Sequence, residues 1–244
     1  FLSFRNNDLP GVMLAASFEK YIHRYGVVPD KSPVIFTNNS STFSLVDSLL
    51  ALGHKPKAYV DVRDQKKIEK ETLELLTKYN IPLYPKSEIE GCDGNNEVKK
   101  VSIRVKKNEI IKIKTSMLCV SGGLNPDIHL FTQSKGLIKW DDSLLTFKAD
   151  KPFQNTITLG SVSGNFSYEK LVDEINKKLG SLEGVNSLQL KLDINGSKKF
   201  QIKEFWETKH AKKSLWSKSF IDLQNDVTTK DLKQAVLEGF NRIE

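Results

Sequence analysis

The stretch 34–43, VIFTNNSSTF, has the layout of a phosphate-binding turn: an apolar run, a polar bend, then an amphipathic stretch able to start a helix. A dinucleotide turn needs glycine three times. The first permits the tight bend, the second lets the backbone approach the pyrophosphate, and the third lets the helix pack on the strand. Here those places hold Thr37, Asn39 and Thr42. Asparagine tolerates positive φ, so the bend itself is expected to survive. A side chain at Asn39, however, projects where a phosphate would sit. The helix N-terminus still offers N–H donors and a positive dipole end. Asp61 follows Thr42 by 19 residues, about where an acid would bind an adenosine ribose; it reads equally as a loop acid at a strand end. The expectation is a nucleotide fold kept as framework, with phosphate shut out at Asn39.

Little else in the chain has the spacing of a reactive site. His23, His54, His129 and His210 are scattered without ligand-spaced partners. Cys92 and Cys119 are far apart and match no metal or redox pattern, which suits buried structural roles in a reducing cytoplasm. No nucleophile triad, zinc pattern, P-loop or carboxylate pair stands out. Neither a catalytic residue nor a metal site is therefore assigned.

The elements that must position the Thr37 turn are legible from hydrophobic periodicity. Residues 12–25, VMLAASFEKYIHRY, predict a helix ended by Gly26. Strand 34–36, a helix from about 42 to 52, strand 57–62, a helix carrying Ile68, Thr72, Leu75, Leu76 and Tyr79 on one face, and strand 81–84 give a βαβαβ order. That order implies a parallel sheet with right-handed crossovers. VSIRVK and EIIKIK then alternate as antiparallel strands around Lys107-Asn108, and MLCVS at 117–121 is a buried strand. TITLG at 156–160 predicts another strand, followed by a turn and a helix with Tyr168, Leu171, Val172, Ile175 and Leu179 on one face. Asn195-Gly196 marks a hairpin. Thr228 with Asp231 predicts a capped helix whose Leu232, Ala235, Val236 and Phe240 face inward.

The 244 residues suffice for a large core, and 39% hydrophobic with 27% charged residues is ordinary for a globular chain. Apolar runs are too short for a membrane span, and the start has no signal-peptide layout. A net charge of +7 is concentrated in the lysine-rich segment 191–218. That segment lacks a nucleic-acid motif or regularly interleaved aromatics, so it reads as a solvated hairpin and linker. A first residue Phe1 and a final NRIE directly after a helix are read as an internal segment of a longer protein.

Four stretches carry a resemblance: NNDLPGVMLAASFEKYIHRYGVVP, the glycine-free VIFTNNSS, CVSGGLNPDIHLFTQSKGLIKWDD, and FIDLQNDVTTKDLKQAVLEGFNRIE. Together and in this order they resemble the alpha subunits of heterotetrameric sarcosine oxidases. The resemblance implies an α/β, thioredoxin-reductase-like FAD/NAD(P)-binding fold with a Rossmann-type insert, followed by a small ferredoxin-like module. Residues 1–26 would begin the outer dinucleotide-binding domain, 27–115 form the inserted lobe, and 116–180 return to the outer domain. A hairpin and basic linker would occupy 181–216, and the start of a bacterioferredoxin-associated-ferredoxin-like module 217–244. In that module two cysteines before V-T hold a [2Fe–2S] cluster; Asp222 and Gln224 stand in their places here.

The closing turn Gly160-Ser161-Val162 lacks the Asp that bonds a flavin ribityl chain. The resemblance thus implies a structural NAD in the outer domain, contacted by Ser161, Phe166 and Tyr168. FMN would lie at the interface with the beta subunit, faced by Asn225, Asp226, Thr228 and Thr229. FAD and tetrahydrofolate would lie elsewhere in a complex with beta, gamma and delta subunits. The implied reaction oxidatively demethylates sarcosine to glycine, with hydrogen peroxide and methylenetetrahydrofolate formed. The competing readings are a subunit of an opine or amine dehydrogenase, or another pyridine nucleotide-dependent flavoprotein, for which tightly bound FAD or iron would speak. A basic nucleic-acid-binding module rests on charge alone. The expected location is cytoplasmic, without membrane contact.

Overall fold

The computed structural model describes residues 2–105, 109–166, 168–179, 200–209 and 213–240. The chain divides into two compact units, Phe1–Gly122 with Lys203–Glu244, and Gly123–Ile202.

The first unit is organised by alternation along short apolar runs. In order come β1 (Val12–Leu14), α1 (Ala15–Tyr25), β2 (Val34–Thr37), α2 (Phe43–Ala51), β3 (Ala58–Asp61), α3 (Lys70–Lys78) and β4 (Leu83–Pro85). Three antiparallel strands follow, β5 (Glu88–Asp93), β6 (Lys100–Arg104) and β7 (Ile110–Lys114), before β8 (Leu118–Ser121). The parallel sheet has the order β1-β8-β2-β3-β4. Successive strand residues point to opposite faces. Accordingly Ile35, Tyr59 and Cys119 join Phe18, Leu45, Leu49 and Leu76 in a core beneath the three helices. Val34, Phe36, Val60, Leu118 and Val120 join Leu2, Phe4, Ile89, Val101 and Ile103 in a second core beneath the antiparallel strands. With both faces covered, β2, β3 and β8 are buried at every position.

Several expectations change here. The helix predicted from residue 12 starts at Ala15, because Val12, Met13 and Leu14 pair with Leu118, Cys119 and Val120. Gly26 does end it, at φ 64°. The expected boundary at 115/116 falls inside one sheet, since β8 pairs with both β1 and β2. The turn at Lys107-Asn108 and the Asn195-Gly196 hairpin lie outside the described residues.

The end of the chain returns to this unit. β11 (Phe220–Asp222) and β12 (Val227–Thr228) form a small hairpin, and α6 (Thr229–Leu237) follows with a capping box between Thr228 and Asp231. Asn7 holds the hairpin to the N-terminal segment, its side chain donating to Phe220 O and accepting from Phe220 N, both at 2.8 Å. The inward face expected of α6 is not buried. Leu232 is 46%, Val236 58% and Phe240 67% exposed.

The second unit contains α4 (His129–Gln133), the hairpin β9 (Leu137–Asp141) with β10 (Thr146–Lys151), a 3-10 turn at Gly160–Ser163 and α5 (Tyr168–Leu179). TITLG, expected as a strand, pairs with no strand among the described residues and runs irregularly into that turn.

Candidate functional site

The Thr37 turn lies at the carboxyl end of β2, beside the crevice between β2 and β8, where the strand order reverses: β3 and β4 lie on one side of β2 and β8 on the other. Open α/β sheets bind their ligands at such a switch point. In this protein the crevice is stitched together by its own side chains. Asn39 is completely buried; its amide nitrogen donates to Ser121 O and Ser121 Oγ, both at 3.1 Å, and to Asn38 Oδ1 at 2.8 Å. Its Oδ1 accepts from Ser41 N at 2.9 Å, so a helix-start donor that a phosphate would use is already bonded. Thr37 Oγ1 donates to Asn39 O at 3.0 Å, and Thr42 Oγ1 lies 2.7 Å from Tyr59 Oη. The side chain at Asn39 thus lies differently from the sequence expectation. It folds down into the sheet edge rather than projecting into the ligand space, and no residue of the turn takes a positive φ.

Asp61, the ribose candidate, is also engaged. Its carboxylate accepts Arg63 N at 2.8 Å and the Arg63 guanidinium through Nε at 3.1 Å and Nη2 at 2.8 Å. Arg63 reaches Glu69 through Nη1 at 3.0 Å and Asn39 O through Nη2 at 3.1 Å. Burial pushes the Asp61 carboxyl above its usual range, and the Arg63 hydrogen bonds and charge pull it back. Burial also works against the Arg63 charge, but hydrogen bonds and charges from Asp61 and then Glu69 hold the guanidinium more firmly protonated than usual. Of the two readings offered by the sequence, the strand-end acid is the one the geometry favours. Asp61, Arg63 and Asn39 form one satisfied network, and they do not fit a nucleotide ribose.

A second strap crosses the same edge. Asn38 O accepts Lys203 N at 2.9 Å, and Asn38 Nδ2 donates to Lys203 O at 2.9 Å. Lys203 Nζ donates to Val62 O at 2.8 Å, beyond the end of β3. Phe205 meets Phe36 edge-on with ring centroids 6.0 Å apart. Arg63, Ser121, Lys203 and Phe205 were not singled out by the sequence. The only local signal was the Asp61-Val62-Arg63 triplet, which places acid and base on the same side of an extended chain.

In the second unit the residues implied for NAD surround the start of α5. Gly160 takes φ 69°, and a Cβ there would meet Leu171 Cδ1 at 3.0 Å, so glycine allows the turn to sit close under the helix. Ser161 is exposed on this turn, Phe166 is half-buried with its ring 5.9 Å from that of Phe200, and Tyr168 opens α5. Glu174 accepts from Gly160 N at 3.2 Å and Asn165 Nδ2 at 2.7 Å. Despite burial, which works the other way, the Lys178, Asn165 and Gly160 hydrogen bonds hold its carboxyl below the usual range. A carboxylate in that place suits hydroxyl contacts at the Ser161 turn better than a pyrophosphate. An exposed hydroxyl and an aromatic side chain fit one edge of a nucleoside.

At the end of the chain, Asp222 accepts from Gln224 N at 2.8 Å, Asn225 N at 3.2 Å and Asn225 Nδ2 at 2.7 Å. It organises the turn where a cluster cysteine would stand. Asn225 and Asp226 are exposed, whereas Thr228 and Thr229 are buried at 8% and 1%. Thr228 caps α6, and Thr229 Oγ1 lies 3.5 Å from Ser3 Oγ. Those two threonines are therefore not available as surface groups in this chain.

Comparison with known proteins joins these observations. The sarcosine oxidase A3 domain family matches residues 216–244. The sarcosine oxidase subunit alpha of Rhizobium meliloti (strain 1021) is 28% identical over 257 residues, covering 100% of this chain and 24% of the relative. That of Corynebacterium sp. (strain P-1) is 24% identical over 99% of this chain and 26% of the relative. The Corynebacterium sp. (strain U-96) subunit is 30% identical over 66% of this chain and 17% of the relative.

The chain is similar to sarcosine oxidase alpha subunits along its whole length. It spans about a quarter of the length of the first curated relatives it matches. Among solved structures, L-proline dehydrogenase from P. horikoshii superposes with a TM-score of 0.59 at 16% identity, covering 98% of this chain and 44% of that one. T. acidophilum thioredoxin reductase gives 0.42 at 13% identity over 66% and 58%. The superposition on L-proline dehydrogenase shows a shared α/β fold, and Asp222 and Gln224 stand in the hairpin that precedes the last helix.

Proposed function

We propose that this chain is the NAD-binding and scaffolding segment of a sarcosine oxidase alpha subunit and supplies no reacting group itself. The observation that carries the reading is the match to sarcosine oxidase alpha subunits along the whole chain. Its own side chains support the second half of the statement. Burial pushes the Cys92 thiol up to about 12 and raises the Cys119 thiol further, so neither is a ready nucleophile. The Asp61 carboxylate is consumed by Arg63. Among the described residues no group of three His, Cys, Asp or Glu side chains is arranged to hold a metal.

In this reading Ser161, Phe166 and Tyr168 border a structural NAD, whose role is to fill and stiffen the outer domain. Asn225 and Asp226 face the beta subunit near a shared FMN. The intact assembly, with gamma and delta subunits, demethylates sarcosine to glycine, yielding hydrogen peroxide and methylenetetrahydrofolate from the FAD, FMN and folate sites it holds. The assembly's proposed location is the cytoplasm; no described helix is long and apolar enough to cross a membrane. Nucleotide released on denaturing the purified intact protein tests the assignment. NAD in proportion to alpha subunit is expected, and mixing with NADH should leave the flavin colour unchanged on the turnover timescale. Release of FAD from this subunit, or rapid flavin bleaching, would instead favour the dehydrogenase-subunit reading.

A further inference from the structure

The end of β2 and the crevice beside β8 form the position at which a sheet of this topology receives a dinucleotide. Several of the groups a phosphate would meet there are already bonded within the chain. Asn39 spans the crevice to Ser121, and Asn39 Oδ1 holds Ser41 N. Over the adjoining edge, residues 203–208 make contacts of the kind a bound ligand makes. A backbone amide reaches Asn38 O, two carbonyls accept from Asn38 Nδ2, a cation reaches Val62 O, and the Phe205 ring seats on Phe36. The same segment continues outward in bonds to other elements. Trp206 O accepts from Ser3 N at 2.8 Å, Thr208 N donates to Ser3 O at 2.9 Å, and Thr208 Oγ1 donates to Ile89 O at 2.7 Å. Thr208 is wholly buried.

We propose that residues 203–208 are a built-in occupant of the switch-point edge, a strap that replaces nucleotide in this lobe and locks the N-terminal segment and the C-terminal module onto the sheet. The lobe then keeps its shape without any ligand, and nucleotide binding by the protein is confined to other surfaces. Asn38 is the strap's anchor: its side chain and carbonyl together make bonds to Lys203 and Phe205.

Hydrogen exchange of the intact protein, resolved by peptide, tests this with NAD and ATP as separate probes at millimolar concentration. Peptides covering 37–42 and 203–208 should exchange equally with and without either nucleotide. Asn38→Ala should raise exchange in 203–208 about tenfold, since it removes both carbonyl anchors. Should that variant fail to fold, Lys203→Met, which deletes only the bond to Val62, should raise exchange in the same peptide by a smaller factor. Slowing of 37–42 by nucleotide in the unaltered protein would overturn the proposal, as would folded variants with an unchanged 203–208. Protection by NAD confined to 160–168 would support the NAD assignment above and leave the strap standing. No protection anywhere would support the strap, and the NAD assignment would then stand or fall on the nucleotide released by denaturation.

Discussion

Arg63 is 1% exposed, a place where a guanidinium survives only if each side of its fork is answered. Asp61 answers one side, Glu69 another, and the Asn39 carbonyl completes the set. Taking two charges out of water is costly, and the pair recovers that cost only while both members are present. Arg63→Met should therefore destabilise the fold by about 3–5 kcal/mol, because it leaves Asp61 buried without a partner. The triple change Asp61→Asn, Arg63→Met, Glu69→Gln should be markedly milder than Arg63→Met alone. Urea unfolding midpoints read both, and a single variant no worse than the triple would show that the network is not what holds the turn. Asn39 illustrates how much of this was visible beforehand. Its type announced that the glycine turn was lost. Its direction was not legible, because the group that draws it inward, Ser121, is 82 positions away.

Among the elements, the two β-hairpins show what decides pairing when local preference is weak. The strand β5 was missed because SEIEGCD is rich in residues that strands disfavour. Cross-strand charge supplies the missing preference: Arg104 on β6 pairs with both Glu88 and Glu90 on β5. The parallel strands were readable because they are buried on both faces and leave uninterrupted apolar runs. In the β9–β10 hairpin the corresponding device is Asp141. Its carboxylate accepts from Lys148 Nζ at 2.5 Å, Ser143 Oγ at 2.6 Å and Ser143 N at 2.9 Å. The Lys148 bond first, then those from Ser143, hold it well below the usual carboxylate range. A carboxyl lowered on folding adds stability above its unfolded value, near 3.9, and loses it as pH falls through the folded value. Acidification below about pH 4 should thus loosen this hairpin by about 1 kcal/mol, while Asp141→Asn should be loosened already at neutral pH and lose that acid dependence. The indole N–H of Trp140, bonded to Asp142 Oδ1 at 2.9 Å, is the NMR signal to follow. An unchanged acid response in the variant would remove Asp141 from this role.

For the molecule as a whole, the contrast between the two ends of α6 is the informative one. Its N-terminus is fixed: Thr228 and Asp231 cap each other, Thr229 N donates to Ser219 O, and Lys233 reaches Glu207. Its apolar residues nevertheless face outward, with Leu223 and Ile221 of the adjoining hairpin also exposed. Helical spacing correctly marked Leu232 and Val236 as one apolar stripe but could not say what the stripe faces. A stripe signals burial only when a partner element lies against it. The caps and ion pairs, not this stripe, therefore hold the module in place within the chain. Leu232→Lys and Val236→Glu should each change the unfolding free energy of this 244-residue chain by no more than about 0.5 kcal/mol, as for surface positions, and should lower its tendency to self-associate. Losses of about 2–5 kcal/mol, the scale for truncating a packed aliphatic side chain, would mean that the stripe is part of the core after all. If the same two substitutions weaken recovery of the beta subunit with the alpha subunit while leaving this chain's stability unchanged, the stripe would extend the surface proposed around Asn225 and Asp226. Intact assembly in both variants would confine that surface to the turn.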